Sequence, residues 1–180
     1  MFFLFYIAGN SLFAQVSAVQ LYEQGNIAID RGLFFEAIQF NQQALRINSN
    51  YAEAYGSLSE AYFYMNEYDE ALIHIDEALR LDPRNLGFQN FRGRIYLALG
   101  NTSRAQEVFS GILGQNPFNQ NALLGQAELL LSTGNLTGPN RVFSIAYQSP
   151  RGIDGPFFLL LSCIKTKGIL GKRNVIYKEP

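Results

Sequence analysis

The sequence predicts an all-α fold built from repeated helix–turn–helix units, and three observations carry that prediction. Turn-forming residues recur every 34 residues along most of the 180-residue chain. Small residues recur at the same interval between them. Apolar residues three or four positions apart fill the intervening segments, which is typical of amphipathic helices. The turn-forming residues in one register are Gly32, Asn66, Gly100, Gly134 and Gly168.

The clearest unit is residues 52–85. Its first helix is predicted to end at Asn66, because Asn tolerates the left-handed conformation that closes many helices. The second helix is predicted to begin near Tyr68 and to stop before Pro83, because the residue preceding a proline is biased away from helical geometry. One face of this second helix carries Ala71, Ile75 and Ala78.

Neighbouring segments repeat this unit. The predicted repeats are residues 18–51, 52–85, 86–119 and 120–153, with a partial fifth over 154–180. Pro139 stands where the other repeats have alanine, so the second helix of the fourth repeat is predicted to start there. The small residues in register are Ala37, Ala71 and Ala105 in the second helices and Gly25, Ser59, Gly93 and Ala127 in the first helices.

Residues 52–85 closely resemble the tetratricopeptide repeat (TPR) family, whose helix–turn–helix unit also has 34 residues. The matching residues are Tyr55, Leu58, Ser59, Tyr62, Tyr68, Ala71, Ala78 and Pro83. The resemblance covers most of the chain and implies a right-handed α-solenoid of about four and a half TPR units over residues 15–180.

Residues 1–14 read as a signal peptide. Residues 2–8 form an apolar run too short to span a bilayer, and Leu-Phe-Ala then offers a cleavage site before Gln15. No basic residue precedes Arg31, so the usual basic start is missing. The pattern predicts a secreted or periplasmic protein, with membrane association only through an uncleaved leader. An apolar N-terminal helix packed on the first repeat, in a cytoplasmic protein, is the alternative.

The composition gives little support to catalysis or to binding of nucleic acid. The formal charge is −1, whereas nucleic-acid binding calls for a basic face. His74 is the only histidine and Cys163 the only cysteine, too few for a common zinc site. The acidic pairs Asp69-Glu70 and Asp76-Glu77 fit solvated helix positions. We therefore expect no enzyme activity, no cofactor, no metal and no small-molecule substrate.

The resemblance implies that the first helix of each repeat lines an inner groove that binds a protein or peptide partner. Aromatic side chains beside polar ones suit such a lining, although the same rings could instead pack between helices. The register selects Tyr22, Asn26, Glu53, Ser57, Glu60, Phe63, Tyr64, Asn90, Phe91, Arg94, Leu124 and Glu128.

Tyr64, Phe91 and Arg94 are the types of residue that most often dominate binding energy. We expect a partner segment to dock across the second and third repeats and to touch all three. The near-neutral chain predicts little long-range steering, and therefore association that is only modestly sensitive to salt.

One TPR subtype binds the C-terminal tails of chaperones through a clamp of Lys and Asn residues. Asn26 matches one clamp position, but Tyr22 stands where a lysine is required. Ser57, Gly87 and Phe91 occupy the remaining positions. Binding of chaperone tails is therefore not expected.

The sequence thus favours a non-catalytic protein–protein interaction scaffold. The alternative is a regulatory or anchoring TPR segment of a larger protein, linked to an enzyme or a sensor. The apolar C-terminal stretch over residues 157–164 favours this alternative over an isolated module, because a terminal repeat needs a polar outer face.

Overall fold

The computed structural model describes residues 17–133, and over this range the chain is entirely helical between its turns. The helices are α1 (Ala18–Asp30), α2 (Phe34–Ile47), α3 (Ala52–Tyr64), α4 (Tyr68–Leu81), α5 (Leu86–Ala98), α6 (Thr102–Gln115) and α7 (Gln120–Thr133). The predicted leader, the helix expected from Pro139 and the partial fifth repeat lie outside the described residues. Within residues 17–133, no helix has the length and apolar character needed to cross a membrane.

Three helix–helix turns share one geometry. Gly32, Asn66 and Gly100 have positive φ angles of 75°, 62° and 73°. In each turn the next residue donates its backbone N–H to the carbonyl five residues back, as Leu33 does to Ala28 at 2.8 Å. This is the Schellman arrangement, which satisfies the last carbonyls of the first helix and reverses the chain. The predicted turn positions at these three residues are confirmed.

Side-chain caps mark several helix starts. Ser17 and Gln20 form a reciprocal capping box at α1, with bonds of 2.9 and 3.1 Å. Asn85 and Asn101 accept backbone N–H groups at the starts of α5 and α6. Each cap satisfies donors that have no partner inside the helix, so these residues fix where each helix begins.

The chain divides into two compact units, Met1–Arg84 and Asn85–Pro180. In the first unit, α1 packs on α2, α2 on α3, and α3 on α4. Ala71, Ile75 and Ala78 are fully buried, which confirms the face predicted for α4. The hydroxyl of Ser59 donates to the Ala71 carbonyl at 2.6 Å, so the small residues allow α3 and α4 to approach closely.

In the second unit, α5 packs on α6, and α6 and α5 both pack on α7. Phe109 is the largest fully buried side chain there, and its ring lies between two glycines. A Cβ at Gly93 would come within 2.6 Å of this ring, and one at Gly125 within 2.3 Å. The ring therefore requires glycine on both sides. Ala105, one of the small residues in register, is also fully buried.

Candidate functional site

The first unit brings the predicted residues of α1 and α3 together on one face. On α3, Glu53, Ser57 and Glu60 are four and three residues apart, so they form one stripe that Tyr64 continues. On α1, Tyr22 and Asn26 form the neighbouring stripe. The hydroxyl of Ser57 donates to Oδ1 of Asn26 at 2.8 Å and ties the two stripes together. We call this surface the α1/α3 face.

Ser57 itself belongs to the interior of the unit. Its exposed fraction is 5%, and its Oγ atom also accepts a hydrogen bond from Nδ2 of Asn41 at 2.9 Å. Asn41 is fully buried, and its Nδ2 donates in addition to the Ala37 carbonyl at 2.9 Å. Ser57 is therefore positioned to hold α1, α2 and α3 together rather than to contact a partner, and we remove it from the proposed contact surface.

One end of the α1/α3 face carries a cluster of rings and carboxylates. The rings of Tyr22 and Tyr51 lie 5.2 Å apart between centroids, at an angle of 59°. Glu23 and Glu53 are exposed, and both lie near enough to Tyr51 for their charges to act on its hydroxyl. Burial raises the pKa of the Tyr51 hydroxyl, and the negative charge of Glu53, the Tyr22 hydroxyl and Glu23 raise it further. We call these four residues the tyrosine–carboxylate cluster.

The other end of the face carries a run of aromatic rings. Phe34 stacks on Tyr64 with centroids 5.2 Å apart and an interplanar angle of 18°. Tyr64 meets the edge of Phe63 at 5.9 Å, and Phe63 contacts Tyr68 at 5.4 Å. Tyr64 is 46% exposed, so this run presents apolar ring surface to solvent. Phe34 fixes the orientation of Tyr64 from the start of α2.

In the second unit, α5 and α7 carry the remaining predicted residues. Asn90 is 5% exposed, and its Nδ2 donates to the Leu86 carbonyl at 2.8 Å and to Oδ1 of Asn119 at 3.3 Å. Burial removes Asn90 from the proposed contact surface as well. Arg94 is exposed and its Cζ atom lies 5.8 Å from the centroid of the Phe91 ring, an arrangement typical of a cation–π contact. Leu124 and Glu128 are half-buried on α7.

His74 lies between aromatic rings of α3. Its ring stacks on Tyr62 at 5.2 Å and 14°, and on Tyr55 at 6.3 Å and 27°. Burial lowers the pKa of His74, an effect that the nearby Glu70 partly opposes. His74 therefore packs against the rings of α3. Cys163 lies outside the described residues, and residues 17–133 contain no group of three His, Cys, Asp or Glu side chains that could hold a metal ion.

Sequence reasoning missed Tyr51, Phe34 and Asn41. The first two lie next to turns rather than in the first helices, so the register did not select them. Asn41 carried a usable signal, because the equivalent positions one and two repeats later are Ile75 and Phe109. A polar residue at a position that is otherwise apolar indicates a buried hydrogen-bonded group.

Two protein-family models, both described as tetratricopeptide repeat, match this sequence at residues 52–85 and 92–138. The chain is 31% identical over 103 residues to tetratricopeptide repeat protein 12 of Mus musculus, covering 57% of this chain and 15% of that protein. It is 29% identical over 116 residues to cellulose synthase operon protein C of Escherichia coli K12, covering 57% of this chain and 10% of that protein. The chain spans less than a fifth of the length of the curated relatives it matches.

Solved structures have the same fold. A tetratricopeptide repeat protein from Parabacteroides merdae superposes with a TM-score of 0.71 at 24% identity, over 89% of this chain and 61% of that one. The first TPR domain of RPAP3, called Spaghetti and bound to an HSP90 peptide, superposes with a TM-score of 0.61 at 20% identity. The match covers 66% of this chain and 94% of that one. Together with the helices of residues 17–133, these neighbours confirm the predicted all-α solenoid fold.

Proposed function

This chain belongs to the tetratricopeptide repeat family, and from that premise we propose that it is a scaffold that binds a partner protein through the first helices of its repeats. The observation that carries the proposal is the α1/α3 face. There, Tyr64 is 46% exposed, yet its ring is held by Phe34 at 5.2 Å. A rigid, partly exposed aromatic ring loses little conformational entropy on binding, which is why such residues recur at interaction surfaces.

The interior beneath this face supports the proposal. Asn41, Ser57 and Asn26 form a continuous hydrogen-bonded chain from α2 through α3 to α1. The bonds are 2.9 and 2.8 Å long and cross three helices, so they fix the relative positions of the two stripes. A surface presented on well-packed helices is pre-organised for a partner, and this reduces the cost of association.

Site-specific photo-cross-linking tests the proposal. Benzoylphenylalanine placed at Tyr64 replaces one exposed aromatic residue by another, and the same change at Phe35 is the matched control. Phe35 is 66% exposed but lies on the second helix α2. We expect partner adducts from position 64 and none from position 35. Adducts from position 35 alone would place binding on the second helices and contradict the proposal.

The scaffold is proposed to act without catalysis of its own, and this rests on the single His and single Cys of the sequence. A role as a regulatory or anchoring segment of a larger protein is the second candidate. It is favoured by the relatives, of whose length this chain spans less than a fifth. The two candidates differ in whether the chain acts as a scaffold by itself or as part of a larger protein that is linked to an enzyme or a sensor.

Secretion or periplasmic location is proposed only from the pattern of residues 1–14, which lie outside the described residues. Expression with N-terminal sequencing tests it. We expect the mature chain to begin at Gln15 and to leave the cytoplasm. An intact Met1 on protein recovered from the cytoplasm would contradict this proposal.

A further inference from the structure

The charge of the chain is distributed very unevenly. Residues 17–84 contain eleven Asp or Glu and four Arg, a formal charge of −7. Residues 85–180 contain ten Lys or Arg and four Asp or Glu, a formal charge of +6. The overall value of −1 hides this difference. Electrostatic steering depends on the local distribution of charge, so the first unit attracts cations even though the whole chain is nearly neutral.

The negative charge of the first unit includes the helices of the α1/α3 face. Glu23 and Asp30 lie on α1 and Glu53 and Glu60 on α3, and neither helix contains Lys, Arg or His. The four arginines of residues 17–84 lie elsewhere: Arg31 directly after α1, Arg46 in α2, Arg80 in α4 and Arg84 beyond α4. Arg80 is engaged with Glu77 on its own helix at 2.7 Å. The α1/α3 face therefore combines carboxylates with rings and contributes no positive charge of its own.

The tyrosine–carboxylate cluster gives this face a specific chemistry. Tyr22 and Tyr51 are half-buried and form a tilted ring pair, while Glu23 and Glu53 beside them are exposed. An aromatic face attracts a guanidinium or ammonium group through its quadrupole, and a carboxylate can bind the same group through charge-assisted hydrogen bonds. Rings and carboxylates within reach of one another therefore suit a single arginine or lysine side chain.

We propose that the α1/α3 face binds a cationic segment of a partner protein, an extended stretch that carries Arg or Lys. One guanidinium or ammonium group lies over the rings of Tyr22 and Tyr51 and pairs with Glu53 and Glu23. Apolar side chains of the same segment reach the exposed ring of Tyr64. This inference rests on the proposed function and names the chemistry of its partner. A polyanion or an acidic tail is disfavoured, because the carboxylates of α1 and α3 would repel it.

Peptide binding to the full chain tests the proposal. The probes are a labelled peptide that repeats Gly-Arg-Ser and a matched peptide that repeats Gly-Glu-Ser, followed by fluorescence anisotropy. We expect the Arg peptide to bind, binding to weaken as salt is raised, and the Glu peptide not to bind. The E23Q/E53Q double variant should weaken Arg-peptide binding by about threefold to tenfold, since each exposed ion pair contributes modestly.

A matched control separates a local site from the general field of the unit. The E36Q/D69N variant removes the same amount of charge from the exposed surface, but from the second helices α2 and α4. It should leave Arg-peptide binding within about twofold of the wild type. Equal weakening by both variants, or equal binding of the two peptides, would overturn the proposal. The proposal would also be overturned if the chain formed a dimer that the E23Q/E53Q substitutions dissociate. In that case a second copy of the chain, and not a partner protein, would bind the α1/α3 face.

Failure of this inference is distinguishable from failure of the proposed function. Cross-linking from position 64 to a partner, with no preference for the Arg peptide, would overturn the cationic chemistry and leave the scaffold role standing. Adducts from position 35 alone would overturn the scaffold role on this face, whatever the peptides do. The circular dichroism spectrum of E23Q/E53Q should match that of the wild type, so a loss of binding reports the site and not unfolding.

Discussion

The Nδ2 atom of Asn41 donates a hydrogen bond to Oγ of Ser57 at 2.9 Å, and this pair occupies the same register positions as Phe109 and Gly125 two repeats later. Gly25 flanks Asn41 as Gly93 flanks Phe109, since a Cβ at either glycine would clash with its neighbour. The same position of the repeat is therefore filled by a buried hydrogen-bonded Asn in the first unit and by a buried aromatic ring in the second. In both, a glycine makes room for the central side chain.

The packing of Phe109 between two glycines predicts that one added methyl group has a strong effect on stability. Gly125→Ala places a Cβ 2.3 Å from Cζ of Phe109, whose ring is fully buried and already confined by Gly93. We expect the free energy of unfolding to fall by about 1–3 kcal/mol through overpacking. Urea denaturation of the full chain measures it.

Gly111→Ala is the matched control for this variant. Gly111 lies inside α6 with nothing within 4 Å of its Cβ position, so the substitution costs no packing. Alanine is the better helix former by about 1 kcal/mol, and we expect the control to be stabilised by up to that amount. A Gly125→Ala protein as stable as the control would show that Phe109 can move aside.

The buried hydrogen bond between Asn41 and Ser57 predicts that these two residues are energetically coupled. Ser57→Ala leaves the fully buried amide of Asn41 with only the Ala37 carbonyl as partner, and should cost about 1–3 kcal/mol. Combining it with Asn41→Leu removes both buried polar groups, so the double variant should lie closer to the wild type than the two single costs added together. Urea denaturation of the four proteins gives the coupling energy, and simple additivity would contradict the network.

Close approach of α3 and α4 depends on the size of Ala71. The residue has no exposed surface, and its carbonyl accepts the Ser59 hydroxyl at 2.6 Å. Ala71→Leu should lower the free energy of unfolding by about 1–3 kcal/mol, because the added atoms have no space. Ala98→Leu on the exposed side of α5 should change it by no more than about 0.5 kcal/mol. Equal thermal melting of the two variants would contradict the register.

The helices and turns could be predicted because their causes are local and periodic. A positive φ favours Gly or Asn, so Gly32, Asn66 and Gly100 marked the turns of described repeats. Close helix crossing requires a small residue, so Ala71 and Ala105 marked the buried contacts. Each signal involves one residue and one physical requirement, and a fixed period of 34 residues reinforces it.

The candidate surface could be predicted only in part, because the burial of its residues depends on neighbouring helices. The register placed Ser57 and Tyr64 on the same stripe of α3, yet Ser57 is 5% exposed and Tyr64 is 46% exposed. The difference arises from Asn41, which lies on another helix and approaches Ser57 from the interior. The register selected Tyr22 and Glu53 of the tyrosine–carboxylate cluster but missed Tyr51, because Tyr51 precedes the helix that the register selected.

The stability of the first unit should depend on pH through His74. Burial between Tyr62 and Tyr55 lowers the pKa of His74 below its usual 6.5, and Glu70 only partly opposes this. At pH values between the lowered pKa of the folded state and the usual 6.5 of the unfolded chain, His74 is protonated in the unfolded chain and neutral in the folded one. The free energy of unfolding therefore falls as pH drops through 6.5 toward the folded pKa, and below that value the loss is complete.

His74→Phe tests this dependence while keeping a flat ring against Tyr62. His74 is the only histidine of the chain, so the variant should lose the fall in stability just below pH 6.5, while changes that carboxylates cause at lower pH should persist in both proteins. Urea denaturation at a series of pH values measures the difference between wild type and variant. A wild type that gains stability relative to His74→Phe as pH falls through 6.5 would mean that the folded state favours the protonated ring, opposite to the direction that its burial requires.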